Sequence, residues 1–279
     1  MSTVKTYDCE PTLTDSQVLQ FCQDGYLILK GVVPDEINRK TLEFLQIHTE
    51  HTPTPMLDED WFVDNVITNP EAAGAMRSLL GKNFQLTMPF MANHRSDGPQ
   101  PAQNWHKDGG FVHTPALDSL QVFYYPQDTP LEMGPTEVIP GSHLLYSTSP
   151  FMRHYSSIKQ SVSTAAPAGS IVLTVYSIWH RRATSTAHGT RHLLKYWYMR
   201  TSEPERDWIN EPGFDLMHAY HPGNQNSFHR EGHRARNETA EMFFWLCGKH
   251  DDFRAWEHNL PVYYYEEKKL CKFCGYKVT

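Results

Sequence analysis

Apolar positions follow two rhythms along this chain, and the change comes after Lys82. Before it they recur at helical spacing. Leu13-Thr14-Asp15-Ser16-Gln17 opens a helix that Thr14 or Asp15 can cap, with Val18, Leu19, Phe21 and Cys22 as its stripe. Asp24-Gly25 stops it, and Tyr26-Leu27-Ile28-Leu29 reads as a strand. Pro34-Asp35-Glu36 starts a second helix carrying Ile37, Thr41, Leu42, Phe44 and Leu45, and a Pro-rich loop follows from Thr52 to Pro55. Asn69-Pro70-Glu71 begins a third helix that ends near Leu79-Leu80-Gly81.

After Lys82 the pattern shortens. Segments around Phe84–Met91, Leu120–Tyr125, Glu137–Ile139, Ser170–Val175 and His192–Arg200 are β-branched or aromatic, partly alternating, and bounded by Gly, Pro, Asp or Asn. Short strands separated by turn residues predict a sandwich or jelly roll. The fold class expected is mainly β with flanking helices: a cupin-like jelly roll (double-stranded β-helix) behind an N-terminal helical layer. One domain is expected over 1–279, with 1–82 mainly helical, 83–201 as the jelly-roll core, and 202–279 as a lid or dimer-contact extension. Within that extension, His218 to Arg236 reads as a polar loop, and Glu238–Leu246 as a helix with Met242, Phe243 and Leu246 on one side.

The formal charge of −7 argues against nucleic acid or an anionic membrane as partner, since polyanions need a basic face. Five cysteines, unevenly spread, do not form a disulfide framework. No stretch has the length of a membrane span, and the N-terminus lacks the apolar core of a signal peptide. A cytoplasmic, reducing setting is the expectation, with a homodimer as one role for the extension.

Candidate chemistry centres on Gln103-Asn104-Trp105-His106-Lys107-Asp108-Gly109. In an extended segment side chains two apart share a face, so His106 and Asp108 converge. His180 on a later strand completes two imidazoles and one carboxylate, the ligand set suited to non-haem Fe(II) with open positions. Two open positions suit a bidentate 2-oxo acid and the third suits O2. Arg191, eleven residues after His180 and past a turn at Ala187–Thr190, is placed to clamp a carboxylate with its planar fork.

At these residues the chain resembles the phytanoyl-CoA dioxygenase (PhyH-like) family of Fe(II)/2-oxoglutarate-dependent oxygenases. The likeness runs from Leu13-Thr14 and Asp24-Gly25-Tyr26 through His106-Lys-Asp108-Gly109, and through Met133-Gly-Pro-Thr-Glu-Val-Ile-Pro-Gly-Ser-His143, the most specific block. It ends with Gly169-Ser170, Ile178-Trp-His180 and Arg191. The resemblance implies His106, Asp108 and His180 as iron ligands and Arg191 as the partner of the distal carboxylate of 2-oxoglutarate. It implies Thr136 and Asn104 as further co-substrate contacts, although relatives often carry Gln at the latter position. The block usually begins Asn-Gly where this chain has Met133-Gly134. Relatives that halogenate have Gly or Ala in place of the carboxylate ligand; the intact Asp108 favours hydroxylation of a small-molecule substrate, with a secondary metabolite ahead of a CoA ester.

Other conspicuous residues read as structural. His143 suits a hydrogen bond beside its turn, and Cys271-Lys-Phe-Cys274 lacks the second cysteine pair of a zinc ribbon. His188 and His192 compete with His180 for the distal role, and the spacing to Arg191 favours His180. Tyr124, Trp197, Tyr198 and Trp105 are strand aromatics that default to core. Two other functions fit the same residues less fully: a cupin-like metal enzyme without a 2-oxo co-substrate, and a silent jelly-roll binding protein.

Overall fold

The computed structural model describes residues 8–86, 92–108, 114–145, 151–216 and 230–255. In chain order the principal elements are α1 (Asp15–Asp24), β1 (Tyr26–Leu29), α2 (Asp35–Ile47), a single turn α3 (Asp60–Phe62) and α4 (Pro70–Leu80). Then come β2 (Gln85–Leu86), β3 (Ala92–Asn93), β4 (Ser96–Asp97), β5 (Ser119–Tyr125), β6 (Thr136–Val138), β7 (Val162–Ser163) and β8 (Ser170–Val175). β9 (His180–Arg182), β10 (Thr190–Arg191), β11 (Leu194–Met199) and α5 (Arg230–Leu246) complete the order.

The major sheet runs β1-β8-β5-β11-β2, with β3 also on β11, and every pairing is antiparallel. Alternation along its long strands gives it two faces. Leu120, Val122, Tyr124, Ile171, Leu173, Leu194, Tyr196 and Tyr198 share one buried cluster with Val18, Phe21, Leu45, Phe62, Met76 and Leu79 of the helical layer. Phe123, Tyr125, Val172 and Leu193 form a separate cluster on the opposite, inner face. A smaller layer, β7-β6-β9, is extended by the bridges of Gln100 to Ser185 and His106 to His180, and β4 pairs with β10. This is the expected jelly roll behind helices, and its inner space is where the functional side chains gather.

The helical termini follow local chemistry. Thr14 accepts from the Gln17 amide and the Gln17 side chain accepts from the Thr14 amide, a reciprocal capping box. Asp15, the alternative cap, is instead buried, and its carboxylate binds Arg206 Nε (2.9 Å), Trp208 Nε1 (2.8 Å) and the Glu211 amide (2.8 Å). α1 ends at Gly25, whose φ of 78° is left-handed.

Gly25 also explains the most specific block of the sequence. A Cβ there would lie 2.3 Å from the His143 ring, which packs on the bare backbone while its Nε2–H donates to the Cys22 carbonyl at 2.9 Å. The Gly141 amide donates to Asp24 O, and Ser142 Oγ accepts from the Trp179 amide at 2.9 Å. The Pro140-Gly-Ser-His143 block is therefore a strap from α1 to the strand that carries His180. His143 has the structural role expected for it.

Three boundaries differ from expectation. α5 begins at Arg230, eight residues before the predicted start, so the last part of the expected polar loop is helical. Met242, Phe243 and Leu246 lie in the main buried cluster and Phe243 meets Trp208, so α5 is a packed layer whose tertiary contacts carry the helix past its apolar stretch. The loop expected from Thr52 to Pro55 gives way at Thr54 to a 3-10 helix, Thr54–Asp58. The last long strand covers Leu194–Met199, inside the expected His192–Arg200. Most of the expected strand to Met91, the polar run before Arg230 and Cys271/Cys274 fall outside the described residues.

Two outcomes test these joints. Gly25→Ala forces a left-handed alanine against the His143 ring and is expected to cost about 2–4 kcal/mol in chemical denaturation, with Gly98→Ala, where no atom lies nearby, costing less. Burial opposes ionisation of Asp15, but Arg206, the Glu211 amide and Trp208 outweigh it and lower its pKa below the ordinary 3.8. Its contribution is full above the unfolded carboxylate's pKa and is lost as pH falls through the folded value; Asp15→Asn should flatten that acid limb of a stability–pH profile.

Candidate active site

The His106 and His180 backbones form a reciprocal antiparallel bridge, with N–H to O distances of 3.0 and 2.9 Å. Residues opposed in this way project to the same side of the sheet, and the two rings lie 4.4 Å apart. Asp108, two residues on from His106, brings Oδ1 to 3.8 Å from His106 Nε2 and Oδ2 to 3.4 Å from His180 Nε2. One ligand atom from each of the three lies within 4.8 Å of the others.

The histidine tautomers suit a metal. Nδ1 of His106 donates to the Asn104 carbonyl at 2.9 Å, and Nδ1 of His180 to the Ile178 carbonyl at 3.0 Å. In each ring Nε2 is then the nitrogen that faces the Asp108 carboxylate and the one available to a metal. Burial and the neighbouring His180 hold His106 below its ordinary 6.5, which keeps it in the neutral, ligating form. Asp108 is pushed towards neutrality by burial, but His180 and Lys195 overcome that and hold it well below the usual carboxylate range.

Lys195 and Gln121 complete this cluster, and the sequence reading had not singled them out. The Lys195 ammonium pairs with Asp108 Oδ2, and Gln121 Nε2 donates to the same oxygen at 2.7 Å. Both come from the inner face of the major sheet, on adjoining strands β11 and β5. The signal was present: each is a polar residue at an inward position of an otherwise apolar or aromatic strand.

Arg191 lies on β10 opposite Ser96, is 2% exposed, and lines the same cavity of about 410 Å³ as the three candidate ligands. It donates to the Gly134 carbonyl at 3.1 Å, yet its Nε is buried with no partner among the described residues. A buried guanidinium with a vacant donor is a receptor for a carboxylate, and burial depresses its pKa until an anion compensates. Gly134 takes φ 65°, and a Cβ there would meet the Ala183 carbonyl at 2.7 Å, so the turn holding the acceptor for Arg191 requires glycine.

The remaining expected residues divide. Thr136 is buried on β6 and lines the cavity, its amide fixed by the Tyr125 hydroxyl at 3.2 Å. Asn104 has an exposed side chain outside the cavity lining; its carbonyl is what orients His106, and Gln103 lines the cavity instead. His192 is tied to Asn93 and to Gln127, away from the ligand cluster. Trp105, Tyr124 and Tyr198 are buried, while Trp197 faces the inner space beside Tyr176.

The sequence profile of the phytanoyl-CoA dioxygenase (PhyH) family matches residues 21–193. The chain belongs to this family, and with it to the Fe(II)/2-oxoglutarate-dependent oxygenases. A search of curated protein sequences finds no match. Among solved structures the chain is similar to HygX from Streptomyces hygroscopicus with nickel and 2-oxoglutarate bound: TM-score 0.58, 16% identity, covering 71% of this chain and 90% of that one. It is also similar to the epimerase SnoN in complex with Fe3+, alpha ketoglutarate and nogalamycin RO, at TM-score 0.53, 19% identity, 66% of this chain and 82% of that one. The alpha ketoglutarate-dependent carbocyclase SnoK of nogalamycin biosynthesis gives TM-score 0.52 and 17% identity over 72% and 90% of the two chains. At these identities the likeness establishes the cupin-like jelly-roll fold. No helix among the described residues is long and apolar enough to cross a membrane.

The metal fit has a direct test. Co(II) titrated into the chain is expected to bind once per chain with visible absorption; His180→Ala and Asp108→Ala should each abolish the band while far-ultraviolet circular dichroism stays unchanged. Binding should weaken as pH falls through the imidazole range. Full binding by either variant would remove the assignment.

Proposed function

We propose that this chain oxidises a C–H bond of a small-molecule substrate, most simply to an alcohol, with His106, Asp108 and His180 holding Fe(II) and Arg191 holding 2-oxoglutarate. The observation that carries this reading is one cavity lined by both the three convergent ligands and a buried Arg191 with a vacant Nε donor. Iron with 2-oxoglutarate, when bound, supplies O2 activation with release of succinate and CO2.

The chain's own work is placement. Arg191 receives the distal carboxylate, and Thr136 adds a short polar side chain to the same wall. Asp108 supplies the negative charge that a hard divalent cation favours, and Lys195 and Gln121 fix its orientation. The Phe123 ring, 6.1 Å from that of His180, covers the inner side of the ligand and keeps bulk water from it.

Intact Asp108 supports hydroxylation over halogenation. The similar structures include an alpha ketoglutarate-dependent epimerase and an alpha ketoglutarate-dependent carbocyclase, so outcomes other than an alcohol fit the same fold. A cupin-like enzyme without 2-oxoglutarate would leave the vacant Arg191 Nε unexplained. The acidic chain and the family's chemistry suit a secondary metabolite as substrate.

Anaerobic titration with Fe(II) and then 2-oxoglutarate is expected to produce the weak visible charge-transfer band of the chelate. Arg191→Ala should raise the 2-oxoglutarate requirement about thirtyfold to several-thousandfold, the roughly 2–5 kcal/mol of a lost buried charge-assisted pair, while iron affinity changes little. Iron binding without a band would replace this reading with the cupin-like one.

A further inference from the structure

We propose that a second lobe of the cavity, walled by Trp197, Tyr176 and Gln121, takes the molecule to be oxidised, and that this molecule carries a ring bearing a hydroxyl or amino group. The assignment deepens the function proposed above and rests on it for the word oxidised; the binding site itself does not.

The lobe has a volume of about 240 Å³ and shares Asp108, Lys195, His51 and His94 with the larger cavity. The two spaces therefore meet at Asp108, one of the candidate metal ligands. Their chemistry differs. The larger one holds Arg95, Arg181, Arg182 and Arg191 and suits an anion; the smaller one holds the aromatic rings. An apolar cavity of roughly 150 Å³ is enough to hold benzene, so this volume accommodates a ring with substituents.

Trp197 and Tyr176 lie with ring centroids 5.7 Å apart and planes inclined by 31°, which makes a shallow apolar wall for a flat face. Gln121 stands directly opposite Trp197 in the register of β5 and β11, so the amide and the indole are neighbours on one face. Its Nε2 donates to the Asp108 carboxylate at 2.7 Å, and that bond settles which end of the amide is oxygen. Oε1 is then an acceptor on a side chain only 2% exposed, buried and without a donor among the described residues. Buried acceptors are rarely left so, and a donor on a bound ring would satisfy this one. Because the same amide grips Asp108, a group held on Oε1 brings the ring's adjoining C–H bonds towards the metal ligands.

The test uses the full chain, metal-free, in ligand-observed NMR titrations with phenol (ring and donor), toluene (ring alone) and glycerol (donors alone). Phenol is expected to bind about fivefold more tightly than toluene, the effect of one net hydrogen bond, and glycerol not at all. Trp197→Ala should weaken both ring probes, with Trp197→Phe restoring part of the loss. Gln121→Leu should remove the preference for phenol while leaving toluene bound, which a misfolded variant could not do. Equal binding of phenol and toluene by the unaltered chain, binding of glycerol as tight as phenol, or ring binding indifferent to Trp197→Ala would overturn the proposal. Iron and 2-oxoglutarate titrations on the same preparation separate the two readings. Ring binding without iron binding keeps the lobe and removes the oxygenase function, and the reverse keeps the function and removes the lobe.

Discussion

The reciprocal backbone bridge between His106 and His180 is the constraint from which the site follows. It ties a loop that precedes the long central strand to a short strand more than seventy residues later, and it turns two imidazoles to one side at 4.4 Å. Each ring is then locked by its own Nδ1–H on the carbonyl two residues back. With that geometry fixed, Asp108 has one place to go, and the negative potential it creates draws Lys195 and Gln121 from the facing sheet. The two layers of the jelly roll are thus joined across their interior by polar contacts where the candidate ligands converge.

The strap formed by Pro140-Gly-Ser-His143 holds this arrangement from behind. His143 fills the notch left by the missing side chain of Gly25, and Ser142 binds the amide of Trp179, the residue before a candidate ligand. The most specific sequence block of the family therefore acts mainly as a joint between the helical layer and the strand that carries His180. A block can carry high specificity because of packing as readily as because of chemistry: a left-handed glycine facing a ring admits no other residue at low cost.

Much of this was legible in the chain. The helix starts at Thr14-Asp15 and at Asn69-Pro70, the stop at Gly25, the long strands and the convergence of His106 with Asp108 depend on local rules: side-chain oxygens for orphan amides, positive φ for glycine, and period-two alternation. Those rules do not cross the chain. The polar run from His218 to Arg236 reads as loop because its periodicity is weak, and from Arg230 it is helical because Met242 and Phe243 further along the same helix pack against the α1 layer. Asn104 has the right spacing for a co-substrate contact, yet the turn exposes its side chain and offers its carbonyl to His106.

The sequence by itself pointed to the class of fold, to His106, Asp108 and His180 as candidate ligands and to an arginine beyond them, through residue type, spacing and the likeness to a known family. Only the tertiary structure decided what surrounds them. It placed Gln121 and Lys195 on Asp108 by the register of two strands, left Arg191 Nε and Gln121 Oε1 without partners among the described residues, and divided the interior into an arginine-lined lobe and an aromatic one. These are consequences of which faces meet, and strand register is set by the whole buried surface.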